Sequence, residues 1–276
     1  MSSDDKPKQA FYPSGHDQSV LANHRLRTAT NSAPHLLPHL LPRDSLLDVG
    51  CGPGTITVSF APRVARVVGV EHPSAGQAVL DEAQQLAREQ GVEDKVSFQL
   101  ADAFHLPFPD DSFDVVYCHQ VLQHVPDPAT LLREMRRVSK RLVAAREADR
   151  GTFVLHPHDD DDRLARFDEL WYAAARAGGG EPDAARRLKG WAIEAGFEPA
   201  QVDVQAGTTC PDPRQWGAMW AERTVKSGFA DKVVELGLAD REELERIAAA
   251  WREWAEKDEA WFGYLQGDLL AWKGRD

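Results

Sequence analysis

The chain has 276 residues, 42% of them hydrophobic and 28% charged, with 20 glycines and 17 prolines. This composition excludes collagen-like and low-complexity classes, and the length predicts one or two domains with a sizeable core. A formal net charge of -12, from 32 basic and 44 acidic side chains, repels phosphate backbones and anionic bilayers, so neither nucleic acid nor membrane is the expected partner.

The first 16 residues are polar and rich in turn formers, with no signal-peptide apolar stretch. Asp17 can cap a helix that should stop before Pro34, and a short helical piece, Leu36–Leu41, follows. Apolar runs then predict strands at Ser45–Val49, Val64–Val70, Val96–Leu100, Asp114–Cys118 and Leu142–Ala145. Helical patterns lie between them at 55–62, 75–90, 122–124 and 129–138. Alternation of this kind predicts a doubly wound α/β fold, a parallel sheet covered on both faces. After Asp149 come an acidic loop at Asp159–Asp162, helices at Leu164–Ala177 and Pro182–Ala195, and a strand at Val202–Thr208. Residues 212–258 read as mostly helical, and Phe262–Lys273 as a final strand with a bulge at Gly267. No apolar run reaches the ~18 residues of a membrane span. Cys51, Cys118 and Cys210 are too scattered for a disulfide framework or a zinc site, so a reduced, cytoplasmic protein is expected.

The chemistry concentrates where the first strand ends, at Leu46-Leu47-Asp48-Val49-Gly50-Cys51-Gly52-Pro53-Gly54-Thr55. Glycines at such a turn let the backbone approach a ligand, and ligands of open α/β sheets bind outside the carboxyl ends of the strands. The spacing is G-x-G-x-G. It is neither the G-x-G-x-x-G of a dinucleotide site nor a P-loop. Glu71 ends the second strand, where a carboxylate can accept from a ribose diol. Asp102 ends the third, where it can accept from an adenine amino group. The fourth strand runs into His119. Together these positions make a nucleoside site with nothing built for a pyrophosphate.

At these residues the chain resembles the class I S-adenosylmethionine-dependent methyltransferases, in the branch of the quinone-biosynthesis C-methyltransferases. The segments LLDVGCGPGTIT, VVGVE, LADAFHLPFPDDSFDVVYCHQVLQHVPDP and LLREMRRVSK, within residues 43–150, carry the resemblance. It implies a Rossmann-like sheet, S-adenosyl-L-methionine as cofactor, and methyl transfer to a small molecule. By that resemblance Gly50, Gly52 and Gly54 line the methionine and ribose portion, Glu71 holds the ribose, Asp102 and Ala103 meet the adenine edge, and His119 lies near the reacting methyl. The stretches 12–16 and 24–28 look like the cap that many members fold over the cofactor. One departure is the absence of the usual Pro-Gly-Gly turn after Lys140, which leaves the register of the fifth strand open.

Several further residues are candidates. His119, His24 and Glu147 are possible proton acceptors, since histidine titrates near neutral pH and Glu147 lies near the end of the fifth strand. Arg27 is assigned to the cofactor carboxylate, Tyr12 to cofactor and acceptor, and His16 to the acceptor. All eight tryptophans lie at or after Trp171, and Trp216, Trp220 and Trp261 are expected to line an apolar acceptor pocket. His35 and His39 have metal-pair spacing, but Pro38 interrupts them and no third ligand follows, so no metal is expected. The expected organisation is a cap over 1–42, a cofactor-binding core over 43–210, a helical lid over 211–259 and a last core strand over 260–276. The whole chain is similar to actinobacterial and fungal secondary-metabolite methyltransferases. That similarity implies an aromatic acceptor, in its narrowest form the indole C3 of a tryptophan-derived diketopiperazine, and leaves a homodimer open. Rival readings are a quinone-type, phenol or amine methyltransferase, a nicotinamide-dependent oxidoreductase, and a non-catalytic module that binds the cofactor.

Overall fold

The computed structural model describes residues 27–158 and 162–274. Eight strands form its centre: β1 Ser45–Val49, β2 Arg66–Glu71, β3 Val96–Leu100, β4 Phe113–His119, β5 Ser139–Ala148, β6 Val154–His156, β7 Val202–Thr209 and β8 Trp261–Trp272. The first five run parallel in the order β3-β2-β1-β4-β5. β8 enters antiparallel beside β5, pairs antiparallel with β7 along Tyr264–Ala271, and meets β6 at Trp261–Gly263. All five residues of β1 are buried, because a central strand covered on both faces has no solvent side to alternate toward.

The helices are α1 Ala29–Ser32, α2 Thr55–Phe60, α3 Gln77–Glu89, α4 Pro128–Val138, α5 Arg163–Ala177, α6 Leu188–Glu194, α7 Pro213–Lys226, α8 Gly228–Glu235 and α9 Arg241–Ala255. Their starts follow local chemistry. Asp127, Asp212 and Asp240 each accept a backbone N–H from the first turn of α4, α7 and α9. Proline occupies the first position of α4 and α7, where a missing N–H costs nothing.

Hydrophobic burial divides in two. Leu47, Val116, Leu131, Val143 and Leu269 pack against one face of the sheet, and Leu46, Phe60, Tyr117 and Leu142 against the other. A separate aromatic cluster joins Phe167 and Trp171 of α5 to Trp220, Phe229, Trp251, Trp254 and Phe262. The helix over 163–177, expected within the 43–210 core, therefore packs with the helices of 211–259. Its apolar face meets indole rings rather than the sheet.

Other expectations shift in detail. Most of the helix expected from Asp17 lies outside the described residues; within them Thr28 is extended and α1 is a separate four-residue helix that starts at Ala29. The piece at Leu36–Leu41 shrinks to a 3-10 turn, Leu37–His39, and the helix expected from Ala75 starts at Gln77, after Gly76 at φ +80°. β5 starts directly after α4, and one extra residue is absorbed where the pairing moves from Phe113–Ser139 to Val115–Leu142. Gly267 is not a bulge: its pairing with Glu147 and Ala206 is continuous. Glycine is needed there because a Cβ would lie 2.9 Å from the Ala185 carbonyl oxygen and 3.0 Å from its Cα. β6, three residues long, is too short to show a period and was not expected.

The Gly267 contact is with backbone, which cannot swing aside. Gly267→Ala is expected to lower the unfolding free energy by about 1–3 kcal/mol, the usual range for overpacking. Urea unfolding measures it, and a midpoint equal to that of the parent protein would contradict the close approach.

Candidate active site

Where β1 ends, the chain turns through Gly50, Gly52 and Gly54, at φ +75°, +52° and +78°. These left-handed conformations favour glycine over residues with a side chain. The N–H groups of Gly50 and Cys51 both donate to the Val70 carbonyl, at 2.8 and 3.0 Å, which fastens the loop to the end of β2. Glu71 completes the fastening. Its Oε2 accepts from Gly52 N at 2.7 Å and its Oε1 from His72 N at 2.8 Å. Each oxygen keeps a further lone pair for a hydroxyl donor. At the end of β3, Asp102 accepts from Phe104 N at 2.9 Å and pairs with His105 Nδ1 at 2.9 Å. Burial works to raise its pKa, but the bonds from His105 and Phe104 outweigh this and hold it below the usual carboxylate value.

These strand ends open into a cavity of about 1410 Å³. Arg27, Gly50, Gly52, Glu71, Asp102, Ala103 and His119 line it, as do Trp216 and Trp220. The cavity continues past His119 and Gln120 to a wall made of Phe153, Trp171, Trp216, Trp220 and Tyr264. A volume above the ~300–1,000 Å³ of single-ligand pockets suits two ligands side by side.

Three expected residues sit elsewhere. Gly54 is not on the cavity wall: a Cβ there would lie 2.7 Å from Ala83 and 2.9 Å from Phe98, so this glycine lets α3 and β3 pack behind the loop. Trp261 is 47% exposed, lies over Gly263 and does not reach the cavity. Glu147 also lies outside the wall. Its carboxylate is buried and accepts from Val121, Leu122 and Gln123 backbone N–H groups at 2.9, 2.8 and 3.3 Å, which anchors the turn at Leu122–His124. Asp149, another acid at this strand end, is taken up by Arg186. Tyr12, His16 and His24 lie outside the described residues.

Two histidines that line the cavity, His119 and His124, are kept neutral. Burial first, then Arg27 and Arg146, push the His119 imidazole well below its ordinary pKa. Its Nδ1 lies 3.4 Å from Arg27 Nη1, while Arg27 Nη2 donates to Gln120 Oε1 at 2.7 Å. Burial likewise brings His124 down to about 3, with Arg27 and Arg223 adding to the effect. Neutral imidazoles fit a role in shaping the pocket and offering a hydrogen bond better than one in taking up a proton. His35, one of the two histidines with metal-pair spacing, lies 3.3 Å from the Asp268 carboxylate.

Sequence reasoning missed Phe153, Trp171, Met219, Arg150, Arg223 and Tyr264. Met219 and Arg223 were within reach, since they share the i, i+3, i+4, i+7 stripe of Trp216 and Trp220 on α7. Arg150 follows β5 in a turn and carries no periodic signal.

A family profile described as "Methyltransferase domain" matches residues 47–142, the segment that builds β1–β4 and starts β5. An uncharacterized methyltransferase of Schizosaccharomyces pombe is 34% identical over 277 residues, covering 95% of this chain and 96% of its own. The chain belongs to the S-adenosylmethionine-dependent methyltransferases. A second relative, named as a probable methyltransferase, ltbC of Aspergillus luteorubrus, is 31% identical over 287 residues, covering 95% and 97% of the two chains. Among solved structures, YcgJ of Bacillus subtilis superposes with a TM-score of 0.56 at 20% identity over 90% of this chain and all of that one. That likeness supports the Rossmann-like fold.

The methyltransferase has residues that fit its cofactor. A side chain at Gly50 would place its Cβ 2.5 Å from Val121 Cγ2, and the bare backbone there forms part of the cavity wall. Glu71 and Asp102 supply acceptors at consecutive strand ends, as a nucleoside requires.

Beneath the loop, Asp48 is buried and accepts from Thr57 Oγ1 at 2.6 Å. Burial raises its carboxyl from 3.8 to about 7, against the Thr57 bond and with help from Glu71. Burial likewise raises Glu147 from 4.5 to about 8. A carboxyl raised in the folded state binds protons that the unfolded chain has already released, so stability is lost as pH rises between the two values. Below about pH 6.5 this is opposed by His119 and His124, whose depressed values make the unfolded chain the stronger proton binder, so the thermal midpoint of the cofactor-free protein is expected to fall from pH 6.5 toward pH 8. Asp48→Asn lacks the Asp48 contribution, so its midpoint relative to the parent is expected to rise between pH 4 and pH 7; an unchanged difference over that range would refute the assignment.

Proposed function

We propose that the enzyme methylates a small aromatic molecule held against Trp171, Trp216, Trp220 and Tyr264. The observation that carries this reading is the continuity of one cavity from the Glu71–Asp102 rim, past His119, to that aromatic wall. When bound, S-adenosylmethionine supplies a methyl group on a cationic sulfonium. The chain's own residues align the acceptor with it and exclude water. Trp216 and Tyr264 present nearly parallel rings, 28° apart with centroids 5.9 Å apart, and Trp220 stands edge-on to Trp216 at 5.8 Å. Flat apolar faces of this kind favour a ring system over a flexible aliphatic amine. The Tyr264 hydroxyl, whose pKa burial raises, stays protonated at neutral pH and can orient a polar ring substituent.

Among the described residues of that wall the one carboxylate, Asp212, is held as the cap of α7, so an acceptor that is nucleophilic before deprotonation suits the site. An indole ring fits this description, and the C3 of a tryptophan-derived diketopiperazine is the narrow form of the proposal. Transfer of labelled methyl to a panel of indoles, phenols and aliphatic amines tests it. Label is expected in the aromatic compounds; label confined to aliphatic amines, proteins or nucleic acids would refute it. Trp216→Ala and Trp220→Ala are each expected to lower acceptor kcat/KM by about 10- to 100-fold, in line with losing a buried aromatic anchor. Their affinity for S-adenosylhomocysteine should stay within about twofold, since neither ring belongs to the strand-end rim.

A further inference from the structure

The acceptor wall has an uneven charge. Among the described residues lining the cavity between 150 and 266, the cations are Arg150 and Arg223 and the acid is Asp212. Asp212 is committed to capping α7, accepting from Gln215 N at 2.9 Å. Both arginines are buried, at 5% and 6% exposure, and both guanidinium carbons lie 5.5 Å from the centre of the Trp220 ring. Arg150 is also stacked 4.8 Å from Trp171 and 4.9 Å from Phe153. One of its terminal nitrogens pairs with Asp168 at 2.6 Å.

Hydrogen-bonding capacity leans the same way. In this wall Arg150 Nε, Trp216 Nε1 and Trp220 Nε1 are buried donors with no partner, against one orphan acceptor, Gln266 Oε1. Buried donors and cations are costly unless something accepts from them. Arg223 makes further contacts of its own and Arg150 is paired with Asp168, but a guanidinium has five N–H donors and can serve a further acceptor beside these. The neighbouring histidines, His119 and His124, add no positive charge. The surplus in this wall is therefore one of buried donors, grouped around Trp220.

Resting on the aromatic-acceptor reading above, we propose that the acceptor carries a carboxylate or comparable oxyanion, seated against Arg223 and Arg150 beside Trp220. The ring system lies along the indoles, and the anion fixes its end-to-end direction relative to the methyl donor. A neutral analogue of the same shape offers those donors a weaker acceptor and binds more weakly.

Two probes of matched shape test this, 2-naphthoate and 2-naphthamide, titrated by tryptophan fluorescence into protein saturated with S-adenosylhomocysteine. The naphthoate is expected to bind at least about tenfold more tightly, the range of a charge-assisted hydrogen bond, with a preference that weakens as salt is added. Arg223→Gln should reduce the preference to about twofold while leaving S-adenosylhomocysteine affinity unchanged. Equal binding of the two probes by the parent protein overturns the oxyanion site alone. Binding of neither probe overturns the aromatic acceptor with it. If Arg223→Gln weakens S-adenosylhomocysteine as much as naphthoate, Arg223 serves the cofactor and the proposal fails. The comparison in the parent protein stands even if that variant does not fold.

Discussion

The pairing of Arg146 with Asp268 is the contact on which the rest of the molecule depends. Arg146 Nε and Nη2 donate to the two carboxylate oxygens at 2.5 and 2.6 Å, both side chains being buried. The pair ties β5 to β8 at the position where the parallel sheet meets its antiparallel strand. Arg146 Nη1 also donates to the Asn31 carbonyl at 2.9 Å, while His35 approaches Asp268 and Tyr117 donates its hydroxyl proton to the Ser32 carbonyl. The N-terminal segment carrying Arg27, Asn31 and Ser32 is thereby held over the strand ends. Gly207 makes the room, since a Cβ there would lie 2.9 Å from both Arg146 Nη2 and Asp268 Oδ2. Removing one partner from such a buried pair typically costs about 3–5 kcal/mol, because the other is left charged and dry. Here it would also loosen the segment carrying Arg27, Asn31 and Ser32 from the strand ends.

The two halves of the site are built from different materials. The donor half is backbone: a glycine loop fastened to Val70 and Glu71, with carboxylates at successive strand ends. Its geometry follows from sheet register. The half proposed to hold the acceptor is side chain: indole, phenol and guanidinium groups from α5, α7, β8 and the turn after β5. They reach the same cavity because α5 and α7–α9 form their own aromatic cluster. Rings in that cluster cross at steep angles, Phe167 to Trp251 at 89° and Trp171 to Trp220 at 87°. Edge-to-face contacts of this kind fix orientation as well as distance.

This difference in material explains how much was legible in the sequence. The strands β1–β5, the loop at Gly50–Gly54, Glu71 and Asp102 announce themselves by periodicity and by glycine spacing, both of which are local. The role of Gly54 was misjudged because its neighbours, Ala83 and Phe98, are distant in sequence. Glu147 has the strand position of an acid facing the site, yet three backbone N–H groups from the turn after β4 capture it. Trp261 belongs to an aromatic-rich segment, but strand alternation turns it outward where Phe262 and Tyr264 turn in. Arg150 and Trp171 reach the wall through tertiary packing alone, for which no local pattern exists. The motifs that carry the resemblance to methyltransferases lie within residues 43–150 and so say little about which side chains build the aromatic end of the cavity.

β8 spans both halves. Its opening residues, Phe262 and Tyr264, belong to the aromatic cluster, while Leu269 and Ala271 are embedded in the sheet core and Asp268 holds the buried pair. Gly267 sits between them against the Ala185 backbone. A slip of this strand by two residues would keep every side chain on its original face, but it would move Tyr264 away from its place in the wall and Asp268 away from Arg146 together. Substrate preference and fold integrity are thus mechanically linked along one ribbon of chain. Evolutionary change in what the enzyme accepts is easier through α5 and α7, whose rings can be exchanged one at a time, than through the strand that both halves share.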